Sequence, residues 1–348
     1  MNKTTKMEID ALLKLIQDWT NRVPLIILGS GASVPFRLPS MWTLGEHLKN
    51  NITFSDPADI AQFEEFKSTL DKVNDLERTL LQIQLRPKVL EKVIFETWTL
   101  VNKHDIEAFE NLLEGNLEFP LAELTTHLLK AAQRKVSIVT TNYDRLAEYA
   151  ASFSNAFICT GFSQNFVGHF SKSIHQQDLT RLNGFKGQVN IWKVHGSLDW
   201  FKSQEETDRQ LPYRSTIPVN HKPLIVTPGL SKYYETQLEP FRTIFTEADN
   251  EIEKATSFLC IGYGFNDIHV QPKLIAQIKS GKPIIVITKE LTPKTKQSII
   301  DANCKQYILI EEANGKDTRI YSSSFTGEFI IPDVNYWVLS EYLKLIKN

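Results

Sequence analysis

Four short stretches of this 348-residue chain combine glycine with small polar or ionisable side chains, and each follows an apolar run. The stretches are Gly29-Ser30-Gly31-Ala32-Ser33, Thr140-Thr141-Asn142-Tyr143-Asp144, His195-Gly196-Ser197 and Gly262-Tyr263-Gly264-Phe265-Asn266-Asp267. In open α/β sheets, ligands bind in the crevice at the carboxyl ends of the strands. The sequence therefore predicts that the four stretches meet at one sheet edge and form one site.

The glycines of the first stretch suit a phosphate-binding turn. Because Gly29 and Gly31 lack side chains, the backbone could approach a pyrophosphate closely, and a following helix would offer it free N–H groups. The third glycine of the usual dinucleotide fingerprint is missing, and no clear ribose-binding acid follows about 20 residues later. A tight turn from strand to helix explains the same glycines, so both interpretations stay open.

The second and third stretches carry residue types that suit acid–base chemistry. The amide of Asn142 can both donate and accept hydrogen bonds, and the imidazole of His195 can gain or lose a proton near neutral pH. Asp144 could orient these groups or offset positive charge, and it could equally cap a helix. A purely structural role is the alternative for His195. The late stretch, 262–267, suits either the adenosine half of a dinucleotide or a simple turn.

Short apolar runs rich in β-branched residues predict the strands that position these stretches. They cover residues 24–28, 136–139, 189–194, 224–226, 258–261 and 284–287. Helical stretches separate them, which is typical of an open α/β sheet with parallel strands. The predicted fold class is therefore α/β, a Rossmann-like open parallel sheet with a helical insertion.

We predict one unit over residues 1–348, with a Rossmann-like core at 1–44 and 135–348. Residues 45–134 form the helical insertion over one end of the sheet, and its last helix, over 121–134, runs into the second strand. The stretch at about 150–188 is predicted to be a loop-rich insertion. Apolar residues at helical spacing predict one helix near the start of the chain, at 9–16, and another at 334–346.

Composition limits the classes of function. Hydrophobic residues make up 42% and charged residues 23%, as in soluble globular proteins. The 39 Lys and Arg residues nearly balance the 41 Asp and Glu residues, which disfavours strong direct binding of nucleic acid. No stretch approaches the ~20 apolar residues that span a bilayer. The 3 scattered cysteines and the spacing of the histidines predict no disulfide framework and no metal site, and they favour a cytoplasmic location.

In this order and context, the four stretches resemble the motifs of the sirtuin family. Sirtuins carry a glycine turn of the form GAGxS, a TQNxD motif, a catalytic HG and a late GTS-like loop. The corresponding residues here are Gly29 to Ser33, Thr140 to Asp144, His195-Gly196 and Gly262 to Gly264. In addition, Leu38-Pro39 falls on the IP of the sirtuin GIPDFR motif. The resemblance covers about residues 24–290.

The chain also departs from the sirtuin pattern. In the GIPDFR motif, the glycine is replaced by Arg37, the aspartate by Ser40, the phenylalanine by Met41 and the arginine by Trp42. In the TQNxD motif, the glutamine is replaced by Thr141. The paired CxxC motifs that hold zinc in protein deacetylases are missing. With these departures, the chain resembles a divergent branch of sirtuin-like proteins in prokaryotic anti-phage defence, whose members hydrolyse NAD.

The resemblance implies an NAD glycohydrolase that releases nicotinamide and ADP-ribose and needs no metal. It implies catalytic roles for Asn142, Asp144 and His195. The residues it implies for NAD binding are Gly29, Ser30, Gly31, Ala32, Ser33, Thr141, Gly196, Gly262, Tyr263, Gly264 and Asp267. It further implies a cytoplasmic defence effector that depletes NAD, forms a homo-oligomer and answers to a separate partner, such as a HerA-type ATPase or a short Argonaute.

Three alternatives use the same sheet. A sirtuin-like protein deacylase would take an acyl-lysine substrate, and the missing zinc cysteines count against it. A non-catalytic sensor of NAD or ADP-ribose would need neither Asn142 nor His195. A dehydrogenase would need an acidic contact to the ribose, for which the sequence signal is weak.

Overall fold

The computed structural model describes residues 3–227, 238–267, 270–325 and 327–347. Its strands are β1 Leu25–Leu28, β2 Lys135–Thr140, β3 Phe157–Cys159, β4 Gly168–His169, β5 Gln188–Lys193, β6 Gly196–Ser203, β7 Asp208–Gln210, β8 His221–Ile225, β9 Phe258–Ile261, β10 Ile284–Ile287, β11 Tyr307–Ala313, β12 Asp317–Ser322 and β13 Glu328–Ile331. Nine of them form one sheet in the order β13-β12-β11-β10-β9-β1-β2-β5-β3. The strands from β11 to β3 in this order are parallel, and β12 and β13 extend the β11 edge antiparallel. The predicted α/β class with a mostly parallel sheet is confirmed.

The central strands are apolar because both faces of the sheet are covered. Ile26 and Leu28 pack into one hydrophobic core, whereas Leu25 and Ile27 pack into a second core on the opposite face. Strand β10 also contributes to both cores, with Ile285 in the first core and Ile284 in the second. Alternate residues of a strand point to opposite faces, so a strand buried on both sides reads as a continuous apolar run.

Helices cover the sheet and fill the segment between β1 and β2. They are α1 Lys3–Asn21, α2 Met41–Asn51, α3 Pro57–Val73, α4 Leu76–Gln82, α5 Pro87–Leu113, α6 Pro120–Leu128, α7 Leu146–Phe153, α8 Phe241–Lys254, α9 Val270–Lys279, α10 Pro293–Lys296 and α11 Leu339–Lys347. Helices α2 to α5 enclose a hydrophobic core of their own, which includes Leu48, Phe66 and Val93. No described helix is long and apolar enough to cross a membrane.

One predicted strand belongs to a different sheet. The run at 224–226 was predicted as part of the parallel sheet, but its first two residues end β8, in a four-stranded sheet of order β4-β7-β6-β8. In this sheet β8 pairs antiparallel with β6, with Gly196 opposite Ile225. Since β6 follows β5 after only two residues, the chain turns directly from the central sheet into the second one.

Three other boundaries differ from the prediction. The helix predicted over 121–134 ends at Leu128, because a turn follows and Arg134 takes a left-handed conformation with φ 49°. The helix predicted over 334–346 begins only at Leu339. The Thr318 hydroxyl donates to the Val334 carbonyl and accepts the Tyr336 N–H, which holds that segment against β12. The stretch 150–188 contains the end of α7 and the strands β3 and β4 besides its loops.

Candidate functional site

A cavity of about 370 Å³ opens at the carboxyl ends of β1, β2, β9 and β10. Strand β1 has β2 on one side and β9 on the other, so the cavity lies where the strand order changes direction. The structure brings the four predicted stretches together here. The predicted residues that line the cavity are Gly29, Ser30, Gly31, Ser33, Thr141, Asn142, Asp144, His195, Gly262, Tyr263, Gly264 and Asp267. Ala32 and Gly196 do not line it.

The glycines pack two loops against each other. A Cβ atom on Gly29 would lie 2.4 Å from the Gly262 carbonyl oxygen, and one on Gly262 would lie 2.2 Å from the Ala32 nitrogen. The Gly31 N–H donates to the Gly262 carbonyl at 3.0 Å, and the Ala32 and Ser33 N–H groups bond within their own turn. A 3₁₀ turn at Ser30–Ala32, rather than an α-helix, follows β1. These glycines are therefore required for backbone contact between the loops, a reason that the sequence motif does not reveal.

Asn142, Ser33 and Asp144 form a buried hydrogen-bonded group. The Asn142 Nδ2 donates to the Gly29 carbonyl at 2.9 Å and to the Ser33 Oγ at 3.0 Å. The Ser33 Oγ in turn donates to the Asp144 Oδ2 at 2.7 Å. The other Asp144 oxygen accepts the Leu146 N–H at the start of α7, so the helix-capping alternative holds beside the link to Ser33. Burial raises the pKa of Asp144 above its ordinary value.

His195 is held from both sides of its ring. Its Nδ1 lies 3.2 Å from the Thr141 carbonyl oxygen, which can only accept, so Nδ1 carries the proton. Its Nε2 lies 3.0 Å from the Asp267 Oδ2, within ion-pair distance but not aligned for a hydrogen bond. The Asp267 Oδ1 accepts the Val270 N–H and so caps α9. Asp267, predicted to contact the dinucleotide, is thus placed beside the imidazole.

A family model described as the SIR2-like domain matches residues 136–304. This part of the chain is similar to a SIR2-like domain. The match runs from β2 past β10 and includes Asn142, His195 and Gly262, whereas the first glycine stretch precedes it. No curated protein matches this chain.

Solved Sir2 structures align with most of the chain. A Sir2 homologue in complex with NAD has 14% sequence identity, with 85% of this chain and 87% of that chain covered, at a TM-score of 0.43. A serine-to-alanine mutant of a Sir2 homologue, in complex with ADP ribose, has 14% identity, coverage of 81% and 86%, and a TM-score of 0.45. A Sir2 bound to acetylated peptide has 13% identity, coverage of 81% and 88%, and a TM-score of 0.40.

Buried charges support the loop that carries Asn142 from the side away from the cavity. Lys193, the last residue of β5, is fully buried, and its Nζ donates to the Asp144 main-chain carbonyl. The same Nζ lies 3.1 Å from the Glu148 Oε1. Burial raises the pKa of Glu148 to about 7, although the charge of Lys193 acts in the opposite direction. Lys193 thus fixes the main chain that carries Asn142 and Asp144.

The structure adds residues to the site that sequence reasoning missed. Glu290 and Thr288 follow β10 and line the cavity, at the position where an acid can accept hydrogen bonds from ribose hydroxyls. The strand at 284–287 was predicted and polar residues follow it, but only the strand order places them at the cavity. From the helical segment, the lining residues are Met41, Leu44, Glu77 and Val101. Among the described residues that line the cavity, none is lysine or arginine, and the acids are Glu77, Asp144, Asp267 and Glu290.

Proposed function

We propose that this chain is an NAD glycohydrolase, which cleaves the bond between nicotinamide and ribose to give nicotinamide and ADP-ribose. One observation carries the proposal: Asn142 and His195 line the same cavity at the strand ends of a SIR2-like domain. The acidic lining supports it further. The nicotinamide ring of NAD is positively charged, and positive charge develops on the ribose as the bond breaks.

Asn142 would position water or a ribose hydroxyl through a single atom. Both hydrogens of its Nδ2 are donated, to the Gly29 carbonyl and to the Ser33 Oγ. The remaining polar atom of the amide is Oδ1, which only accepts. Asn142 therefore holds an O–H group whose oxygen can face the ribose carbon.

His195 would act as the general base. In the reaction, the bond between the ribose C1′ and the nicotinamide nitrogen breaks, and its electron pair leaves with nicotinamide. The oxygen of water bonds to C1′, and one proton of that water is transferred to the Nε2 of His195. The carboxylate of Asp267, 3.0 Å away, stabilises the imidazolium that forms. A solvent molecule then takes the proton from Nε2.

The wider form of the proposal is a cytoplasmic defence effector that depletes NAD. In this form the chain assembles as a homo-oligomer and is activated by a separate partner, for which a HerA-type ATPase and a short Argonaute are the candidates. This form rests on the resemblance to the divergent branch of sirtuin-like defence proteins.

The test is to incubate the purified chain with NAD, with and without an acetyl-lysine peptide, and to resolve the products by chromatography. Hydrolysis predicts nicotinamide and ADP-ribose in equal amounts whether or not the peptide is present. Nicotinamide release that depends on the peptide, with transfer of the acetyl group to ADP-ribose, would replace the proposal with a deacylase. NAD binding with no product, also in the presence of the candidate partners, would replace it with a sensor.

A further inference from the structure

A second cavity, of about 680 Å³, lies between the end of α5, α7 and the second sheet. It is separate from the cavity at the strand ends, but consecutive residues of the chain line the two cavities. Asp144 lines the first cavity, and the next residue, Arg145, lines the second. An occupant of the second cavity would thus lie directly behind the loop that carries Asn142.

The positive groups of this region already have partners. Arg145 donates to the Asp105 Oδ2 from its Nε at 2.9 Å and from its Nη2 at 2.6 Å, and Asp105 is fully buried. Lys193 lies 3.1 Å from the Glu148 Oε1. An anionic ligand would therefore find each of these cations neutralised.

One negative group has no such partner. Asp199, in β6, lines the cavity and is only 9% exposed. Its Oδ2 accepts from the Gln210 Nε2 at 2.6 Å, whereas its Oδ1 has no hydrogen-bond partner among the described residues. No described cation lies within ion-pair distance of its carboxylate. A buried carboxylate oxygen without a partner costs free energy, which a positively charged donor would recover.

The other walls suit a flat or apolar body. The Phe109 and Tyr149 rings stack at 4.4 Å between centroids, and Tyr213 lies on the same wall. Aromatic faces attract cations because of their negative π-charge, as the Arg145 guanidinium over the Tyr213 ring, at 5.2 Å, already illustrates. The unpaired carboxylate oxygen and the aromatic wall therefore both favour a positively charged ligand with a flat or apolar body.

We propose that the second cavity binds a small organic cation, with an ammonium group beside Asp199 and an aromatic or apolar body against Phe109 and Tyr149. The proposal does not depend on NAD hydrolysis. Glu148 also lines this cavity, but Lys193 is already its partner. The charged groups that act on Glu148 are Lys193 on β5 and Asp199 on β6.

The probe for this site is 2-phenylethylamine, titrated into the full chain in the absence of NAD by calorimetry. Its neutral and anionic counterparts, 2-phenylethanol and 3-phenylpropionate, serve as matched ligands. The first variant is Asp199→Asn, which keeps the shape and removes the charge. Its control is Asp208→Asn, the same change in the same sheet, at a half-buried residue that does not line the cavity.

The expected result is saturable binding of the amine alone, weakened about tenfold or more in Asp199→Asn and unchanged in Asp208→Asn. If Asp199→Asn does not fold, Leu113→Lys replaces it. Leu113 is exposed at the cavity rim, so the change should not disturb the core, and the added cation should weaken amine binding several-fold. Equal binding of the amine and the carboxylate, or amine binding that neither variant weakens, would overturn the proposal.

Discussion

The Nε2 of His195 lies 3.0 Å from the Oδ2 of Asp267, although the two residues are 72 positions apart in the chain. The link joins the end of β5 to the loop after β9 and sets one side of the imidazole against a buried carboxylate. Thr141 holds the opposite side. A base fixed in this way can accept a proton without moving, and its positive form is stabilised as soon as it arises.

The substitution Asp267→Asn should therefore impair catalysis more than folding. Asparagine keeps an oxygen that can accept the Val270 N–H, so the cap of α9 is retained. We expect kcat to fall about tenfold or more, because the carboxylate that stabilises the imidazolium formed in the reaction is gone. A kcat equal to that of the original chain would remove Asp267 from the mechanism. Asp301→Asn, at an exposed position, is the control.

Ser33→Ala tests the buried group around Asn142. The change removes the acceptor of one Asn142 Nδ2 hydrogen and the donor to Asp144. We expect the rate of nicotinamide release to fall about tenfold, since one of the two hydrogen bonds that hold the Asn142 amide is lost. Steady-state kinetics beside Ser280→Ala, an exposed serine at the end of α9, measure the effect. Equal rates in the two variants would contradict the role given to Ser33.

Gly262→Ala tests the contact between the two glycine loops. Gly262 has φ +57°, and an added Cβ would lie 2.2 Å from the Ala32 nitrogen. Gly115 has φ +73° with no atom within 4 Å of such a Cβ, so Gly115→Ala carries the strain of the left-handed backbone alone. Urea unfolding should show a loss of about 1 kcal/mol for Gly115→Ala and more than about 2 kcal/mol for Gly262→Ala. Equal losses would mean that the loops separate at little cost.

Glu290 should make the site prefer NAD to NADP. Its carboxylate at the end of β10 would accept hydrogen bonds from the adenosine ribose and repel a 2′-phosphate. We expect Glu290→Gln to raise kcat/KM for NADP relative to NAD by about tenfold, whereas Glu206→Gln, in a distant turn, leaves the ratio unchanged. A ratio that Glu290→Gln does not alter would place the ribose elsewhere.

His175 should make the fold sensitive to acid. Burial lowers its pKa to about 4, and its ring stacks on Trp192 at 5.0 Å between centroids. The folded chain thus keeps His175 neutral at a pH where the unfolded chain protonates it. The stability that this provides is present above about pH 6.5 and is lost as the pH falls through 4.

The variant His175→Phe keeps the stacking and removes the titration. Between pH 7 and pH 4, the free energy of unfolding should fall on the order of 3 kcal/mol less in the variant than in the original chain. Comparing the two slopes cancels the contributions of groups that both proteins share. Parallel curves would show that His175 is not buried as the structure places it.

The central strands could be predicted because they are buried on both faces and therefore consist of consecutive apolar residues. Strand β11 was not predicted, although its first four residues, Tyr307 to Ile310, are apolar, and Glu311 and Glu312 follow them within the strand. Glu311 is buried all the same, since its carboxylate accepts the Leu291 N–H and lies 3.2 Å from the Lys296 Nζ. Partners distant in the chain decide such a position, so no local pattern reveals it.

In the candidate site too, local sequence predicts some residues, whereas others depend on contacts between distant parts of the chain. Asn142 and His195 were found because each follows an apolar run, and that position depends on local sequence alone. The link from Ser33 to Asp144 depends on β1 and β2 being neighbours, and the contribution of Glu290 depends on β10 lying next to β9. Strand order sets both, and the sequence motifs do not contain it.

The most direct test of the central claim measures NAD binding and nicotinamide release on the same preparations of the original chain, His195→Ala and the surface control His104→Ala. The account predicts that all three bind NAD within a few-fold of one another. It also predicts that His195→Ala alone releases nicotinamide at least about a hundredfold more slowly. Release from His195→Ala at the original rate would contradict it.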